Sequence, residues 1–150
     1  MNKYILYLNS KRCIGCHGCV VHCKVNKDLP VGPILCEVSH EPLKLIRGIP
    51  MTEFTFRSCY HCEDPNCVHI CPTHAMTKRD DGIVYVDKDK CIGCMACAKA
   101  CPWGIPQHNP LTDKAEKCDY CMDRVDAGLK PACVAKCTTH ALKFIAMQEC

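Results

Sequence analysis

Apolar and polar residues alternate along this chain only in short runs. YILYL at residues 4–8, LKLIR at 43–47, MTEFTF at 51–56 and ALKFIA at 141–146 each read as a strand of a few residues. The stretch AMTKRDDGIVYV adds alternating residues on both sides of Asp80-Asp81-Gly82, which is a hairpin signal. Nothing approaches the roughly 18 apolar residues of a membrane span. The start, MNKYILYLNSKRC, has no apolar run of signal-peptide length, no small-residue cleavage site and no twin arginine. The pattern therefore predicts two-stranded ribbons and short helices in a cytoplasmic protein without a membrane span. Export bound to a signal-bearing partner stays open.

Composition changes this picture. Leu, Ile, Val and Phe together make only 32 of 150 residues, close to the level at which a chain cannot bury enough apolar surface to fold unaided. Something besides hydrocarbon must hold the fold. The chain has 18 Cys, and in a reducing compartment dense cysteine points to metal rather than disulfides.

Sixteen of these fall into four groups of four. Cys13, Cys16, Cys19 and Cys23 form the first, and Cys91, Cys94, Cys97 and Cys101 the third. Both have the C-x2-C-x2-C-x3-C spacing of bacterial iron–sulfur ferredoxins. The second group is Cys59, Cys62, Cys67 and Cys71, and the fourth is Cys118, Cys121, Cys133 and Cys137. Thiolates two residues apart can wrap three corners of a cubane, with Gly15 and Gly93 allowing close backbone approach. The last Cys stands one helical turn, about 5.4 Å, further on, where it reaches a second cube. A structural zinc site is an alternative for the fourth group taken alone. The four groups together point to four [4Fe–4S] clusters.

The groups alternate. CIGCHGCVVHC and CIGCMACAKAC align with each other, and P-x-C-V-x-x-C-x-T-H-A-[ML] occurs at 65–76 and again at 131–142. Two pairings of groups are natural: the first with the second and the third with the fourth, or the second with the third and the first with the fourth. The strands favour the latter. The hairpin at 75–86 joins the second group to the third, and ALKFIA would form the same hairpin with YILYL if the chain ends lie side by side. The crossed ligation of two-cluster ferredoxins then predicts Cys13, Cys16, Cys19 and Cys137 for cluster 1. It predicts Cys118, Cys121, Cys133 and Cys23 for cluster 2, Cys59, Cys62, Cys67 and Cys101 for cluster 3, and Cys91, Cys94, Cys97 and Cys71 for cluster 4. The expected fold is α+β: two nested, pseudo-symmetric 2[4Fe–4S] ferredoxin modules. The outer one spans 1–29 and 111–150, the inner one 58–110, and 30–57 is a connecting or docking insert. Since two-stranded ribbons are marginal alone, the clusters should supply much of the folding free energy.

These groups in this order, with CPWGIPQHNPLTDKAEKCDYC between the last two, resemble the four-cluster electron-transfer subunits of molybdenum and tungsten oxidoreductases. That family includes the beta subunits of dimethyl sulfoxide, thiosulfate and polysulfide reductases and of formate dehydrogenases, and the small subunit of some tungsten aldehyde oxidoreductases is similar. The resemblance implies the same sixteen ligands and a larger catalytic partner holding a tungsten- or molybdenum-pterin cofactor. A further electron-input or electron-output subunit, and stacking of copies head to tail, are compatible with it. No nucleophile–base pair, phosphate loop or open metal position is visible, so the chain itself is read as non-catalytic. A free polyferredoxin serving several enzymes is the alternative.

The formal charge of +3 falls to about −5 once sixteen thiolates and four oxidised cores of about +2 are counted, which argues against a nucleic-acid partner. Lys11, Lys90, Lys99 and Lys136 flank the groups and would offset that charge locally. His74 and His140, the histidines of the repeat, are read as structural, with tuning of the clusters as the alternative. Cys36 is expected to be a buried thiol and Cys150 a terminal one, neither a ligand. Trp103 should lie near cluster 3. Residues 30–57 and 122–132 are candidate docking segments.

Overall fold

The computed structural model describes residues 4–147; Cys150 lies outside them. β1 (Tyr4–Leu8) leads through the first cysteine group to α1 (Gly18–Asn26). The insert holds β2 (Glu37–His40), β3 (Lys44–Ile46), β4 (Ile49–Met51) and β5 (Phe54–Arg57). Then follow α2 (Asn66–His69), β6 (Met76–Lys78), β7 (Val84–Val86), α3 (Ala96–Ala100), β8 (Gln107–Asn109) and β9 (Lys114–Glu116). α4 (Met122–Asp126), α5 (Ala132–Ala135) and β10 (Leu142–Ala146) complete the order. Among the described residues every strand pairs with one other, giving five antiparallel ribbons. No described helix is long and apolar enough to cross a membrane.

The two ends of the chain do lie side by side. β1 and β10 pair from Tyr4↔Ala146 to Leu8↔Leu142, and the Asn9 N–H extends the ladder to the Ala141 carbonyl at 2.9 Å. Alternation is what makes the pairing hold. Tyr4, Leu6 and Leu8 turn inward while Ile5 and Tyr7 face outward, and Tyr4 stacks on Phe144 with ring centroids 4.9 Å apart. The internal hairpin is the same unit uncut: Met76↔Val86 to Lys78↔Val84. Gly82, at φ 86°, makes its turn, and the Asp81 carboxylate accepts the Ile83 N–H at 3.1 Å.

Two parts of the fold differ from the pattern. MTEFTF is two strands: Met51 ends β4, and β5 starts at Phe54 and pairs with β2. β3 and β4 close on Arg47-Gly48, both at positive φ (53° and 80°), the conformation of a two-residue hairpin turn. The β8–β9 hairpin is the second difference. Its strands, QHN and KAE, are short and polar, so no apolar period marks them. The turn chemistry does: the Asn109 side-chain oxygen accepts the N–H groups of Leu111 and Thr112 at 3.0 and 3.4 Å, as turn asparagines do.

The core is built around sulfur. Cys23 and Cys118 sit with Leu35, Cys36, Ile83 and Tyr120; Cys97 with Met76, Val84 and Ala115; and Cys133 with Val134 and Leu142. α1 packs on α5, and α2 on α3. Gly93, at φ +70°, lies so close to the β8–β9 turn that a Cβ would stand 2.1 Å from the Asp113 carbonyl oxygen. Gly104 has a similar φ of +60° and open space around it. Gly104→Ala should therefore cost about 1–2 kcal/mol of left-handed strain alone, whereas Gly93→Ala should cost at least about 3 kcal/mol and lose iron. Denaturant midpoints and iron content of the two variants, measured side by side, check this contrast.

Candidate metal centres

Each cysteine loop is a run of left-handed residues. In CIGCHGC, Gly15 and His17 have φ of 64° and 56°; in CIGCMAC, Gly93 and Met95 have 70° and 55°. In the other two groups His61 (47°), Tyr120 (55°) and Cys121 (52°) do the same. Such turns curl the backbone so that successive cysteines face one point. In each loop of the first kind the helix begins immediately after the second left-handed residue, with no side-chain cap.

The quartets that result do not follow the groups along the chain. One recess is walled by Cys118, Cys121 and Cys133 of the fourth group and by Cys23 of the first, with Cys36 beside them. A second is walled by Cys59, Cys62 and Cys67 with Cys101. The third is walled by Cys91, Cys94 and Cys97 with Cys71. Cys137 instead neighbours Cys19 and Cys13, raising the Cys19 pKa with them; a Cβ on Gly18 would lie 3.6 Å from Cys16 Sγ and 3.9 Å from the Lys136 carbonyl oxygen. The fourth group thus does not close on itself, as a zinc site within it would require. Among the described residues no three His, Cys, Asp or Glu side chains converge on a single-ion position. Cysteines of different groups gathered round a common recess fit an iron–sulfur cluster by donor type.

Comparison with known proteins agrees with this geometry. Residues 50–147 match the 4Fe–4S dicluster domain family. The chain belongs to that family. It is 44% identical to the thiosulfate reductase electron transfer subunit PhsB of Salmonella typhi, over 99% of this chain and 78% of that one. It is 42% identical to a chain of the anaerobic dimethyl sulfoxide reductase of Escherichia coli (98% and 75%) and 38% identical to a subunit of the tetrathionate reductase of Salmonella typhimurium (93% and 56%). It is thus an iron–sulfur electron-transfer subunit of the reductase type, with cysteines for four [4Fe–4S] clusters.

In this dicluster-family chain the CxTHA repeat is a device for holding a thiolate. Cys71 Sγ faces the Met76 N–H at 3.4 Å and the Thr73 hydroxyl at 3.8 Å. Cys137 Sγ faces the Leu142 N–H at 3.4 Å and the Thr139 hydroxyl at 4.0 Å. His74 and His140, each at φ 52°, form the bend that turns those N–H groups toward sulfur, and their own N–H groups return to the carbonyls of Cys71 and Cys137 at 3.2 and 3.0 Å. Burial pushes both thiols up, but these donors outweigh it and leave both pKa values lowered. Elsewhere burial wins: Cys19 and Cys67 are each pushed up to about 11, and Cys118, Cys121, Cys133 and Cys97 are raised as well. Binding iron at those sulfurs must expel protons. Two more thiols receive backbone N–H groups at 3.4 Å: Cys59 from His61, and Cys91 from Ala115 of the unforeseen β8–β9 hairpin.

The outlying residues sort themselves. Cys36 is buried as expected, and it also touches the cluster-2 quartet, hydrogen-bonded to Cys23 and directed at the Cys19 carbonyl at 3.7 Å. Trp103 does line the Cys59/Cys62/Cys67/Cys101 cavity. It is 53% exposed and tilts against Tyr60 with centroids 5.1 Å apart, so it covers that cavity from outside. Lys11, Lys90, Lys99 and Lys136 are all exposed. The buried residues between quartets were not foreseen. Cys59 and Cys118 approach each other, and His61 and Tyr120, the matching third positions of C-Y-H-C and C-D-Y-C, lie ring against ring at 3.7 Å. His61 Nδ1 accepts the Val84 N–H at 2.9 Å, and burial, with Lys117 and Lys78, holds its pKa far down, so the ring is neutral. Cys36→Ala should keep the full iron content and Cys137→Ala should lose about four irons per chain; equal losses in the two variants would contradict the separation of ligand from neighbour.

Proposed function

We propose that this chain is a wire of four [4Fe–4S] clusters between a larger catalytic subunit and an external electron donor or acceptor. The ligands are Cys13, Cys16, Cys19 and Cys137 for cluster 1; Cys118, Cys121, Cys133 and Cys23 for cluster 2; Cys59, Cys62, Cys67 and Cys101 for cluster 3; and Cys91, Cys94, Cys97 and Cys71 for cluster 4. One observation carries the assignment: three recesses each bring three cysteines of one group together with one from another group, Cys36 standing beside the first as a fifth. Residues 1–29 with 111–150 form the outer module and 58–110 the inner one, a division supported by the packing of α1 on α5 and α2 on α3.

Each bound cluster supplies one-electron exchange. The chain's residues hold neighbouring clusters at fixed separation and keep water away. Cys19 and Cys23 are one turn apart on α1 and serve clusters 1 and 2; Cys67, on α2, and Cys71, two residues beyond its end, do the same for clusters 3 and 4. Cys59 and Cys118 meet between clusters 2 and 3. The order along the wire is therefore 1, 2, 3, 4. Cys16 and Cys94, at its two ends, are exposed, and so are Ile14 and Ile92 beside them, while the cluster-2 quartet is buried. Electrons enter and leave at the ends.

The partner is a molybdenum- or tungsten-pterin enzyme in the cytoplasm, and the chain has no substrate chemistry of its own. Support for a larger reductase partner comes from the relatives whose names place them in thiosulfate, dimethyl sulfoxide and tetrathionate reductases. The purified complex should contain a second, larger polypeptide with its own cofactor, and this chain should carry approximately 16 irons and 16 acid-labile sulfides. Zinc without sulfide would sink the cluster assignment, and a monomer that exchanges electrons with unrelated reductases would favour a free polyferredoxin.

A further inference from the structure

The junction between the two modules is nearly two-fold symmetric in sequence and in space. Ser58-Cys59-Tyr60-His61-Cys62 corresponds to Lys117-Cys118-Asp119-Tyr120-Cys121. Cys59 approaches Cys118, and His61 lies on Tyr120. The charges break the symmetry. Where one half has Ser58, the other has Lys117, and both are buried.

Lys117 is only 5% exposed. Its ammonium donates to the carbonyls of Val84 and Cys118. None of the ion pairs among the described residues includes it. An ammonium is almost never buried without a counter-charge, and two carbonyl dipoles do not neutralise it. The neighbouring groups able to supply a counter-charge are the cysteine sulfurs of one recess. Lys117 and Val84 both line the recess of Cys59, Cys62, Cys67 and Cys101, and Lys117 is the one Lys, Arg, Asp or Glu side chain in that wall.

The cluster-2 side is balanced instead. The wall there contains Lys27 and Asp119, which pair at 2.8 Å, with Asp123 adding a second carboxylate at 3.4 Å. Lys78 also reaches the cluster-3 loop, at the carbonyls of Cys62 and Glu63, but it is partly exposed and so screened by water.

We infer that Lys117 is a positioning residue for electrons: its buried, carboxylate-free ammonium stabilises the reduced state of cluster 3 over that of cluster 2. Reduction adds one negative charge to the cluster. A fixed cation in a dry wall lowers the free energy of that state, and the balanced Lys27–Asp119 pair does not do so across the junction. The charge on Lys117 thereby adds a step in potential where the two modules meet.

The inference rests on the ligand assignment above, so the test reads both. The complex as purified is titrated electrochemically, with each cluster followed by electron paramagnetic resonance, in wild type, Lys117→Met and Lys117→Arg, and iron and sulfide are counted in each. In Lys117→Met one wave should fall in potential by at least tenfold in its reduction equilibrium, about 59 mV for a one-electron couple. A second wave should fall less, and the other two should stay in place. Lys117→Arg should restore the wild-type pattern. Four unmoved waves, or four that move together, overturn the inference. A wild-type count well below about 16 irons would instead overturn the four-cluster reading. If Lys117→Met loses iron, wild-type protein labelled with 15N at the lysine side chains decides the matter. One 15N coupling should accompany reduction of a single cluster, and no coupling at any cluster overturns the inference.

Discussion

Four sulfurs must ring a space several times larger than one ion, and the backbone must turn its N–H groups toward them. A helix directs its N–H groups along its own axis, and a strand directs them across to a neighbour. Neither can surround a cube. The chain meets this demand with short runs of left-handed residues, at Gly15 and His17 and again at Gly93 and Met95, and lets regular structure resume where the demand ends. Helices of four to nine residues and ribbons of two strands are what remains. Neither element is stable in isolation at such lengths, so the metal sites organise the fold and are not guests within it.

The same demand explains why the ends of the chain meet. Cys137 is a neighbour of Cys19, so a residue near the C-terminus must return to one near the N-terminus. β10 starts five residues after Cys137 and pairs along its whole length with β1. The Leu142 N–H, on the first residue of that strand, faces the Cys137 sulfur. Ribbon and metal site therefore share a residue, and loss of one weakens the other. At the internal hairpin Met76 plays the same part for Cys71. The repeat at 71–76 and 137–142 is thus one functional unit used twice, in which Thr and a backbone N–H stabilise negative charge on sulfur while His supplies the bend.

Much of this was legible in the sequence because cysteine spacing is a direct statement about ligand geometry, and because the alternation in YILYL and ALKFIA has a two-residue period that only a ribbon satisfies. Gly15 and Gly93 were legible as close-approach positions, although what approaches them was not: Phe54 of the insert in one case and Asp113 of β8–β9 in the other. The β8–β9 hairpin escaped because its strands are three polar residues each, too short for any period to register. Lys117 escaped for a different reason. Proximity along the chain does not separate Lys117, beside Cys118, from Lys11, Lys90, Lys99 and Lys136, all four of which face solvent. Whether a lysine is buried depends on packing between modules, which no local pattern encodes.

Repetition and its breakdown separate structure from function here. Where the two halves are equivalent, the residues answer to a geometric demand: cysteines, left-handed turns, the Thr hydroxyl and the N–H behind it. Where they differ at matching positions, geometry is satisfied either way, since Ser58 and Lys117 are both buried beside a cysteine and His61 and Tyr120 fill the two sides of one contact. A hydroxyl would complete the fold at less cost than a buried ammonium, because it needs no counter-charge. Lys117 does tie the Val84 and Cys118 carbonyls together, but a neutral donor could do that, and the charge is what the inferred electronic role uses. A single fixed cation at the junction of the two modules is a small change that favours one side of it over the other.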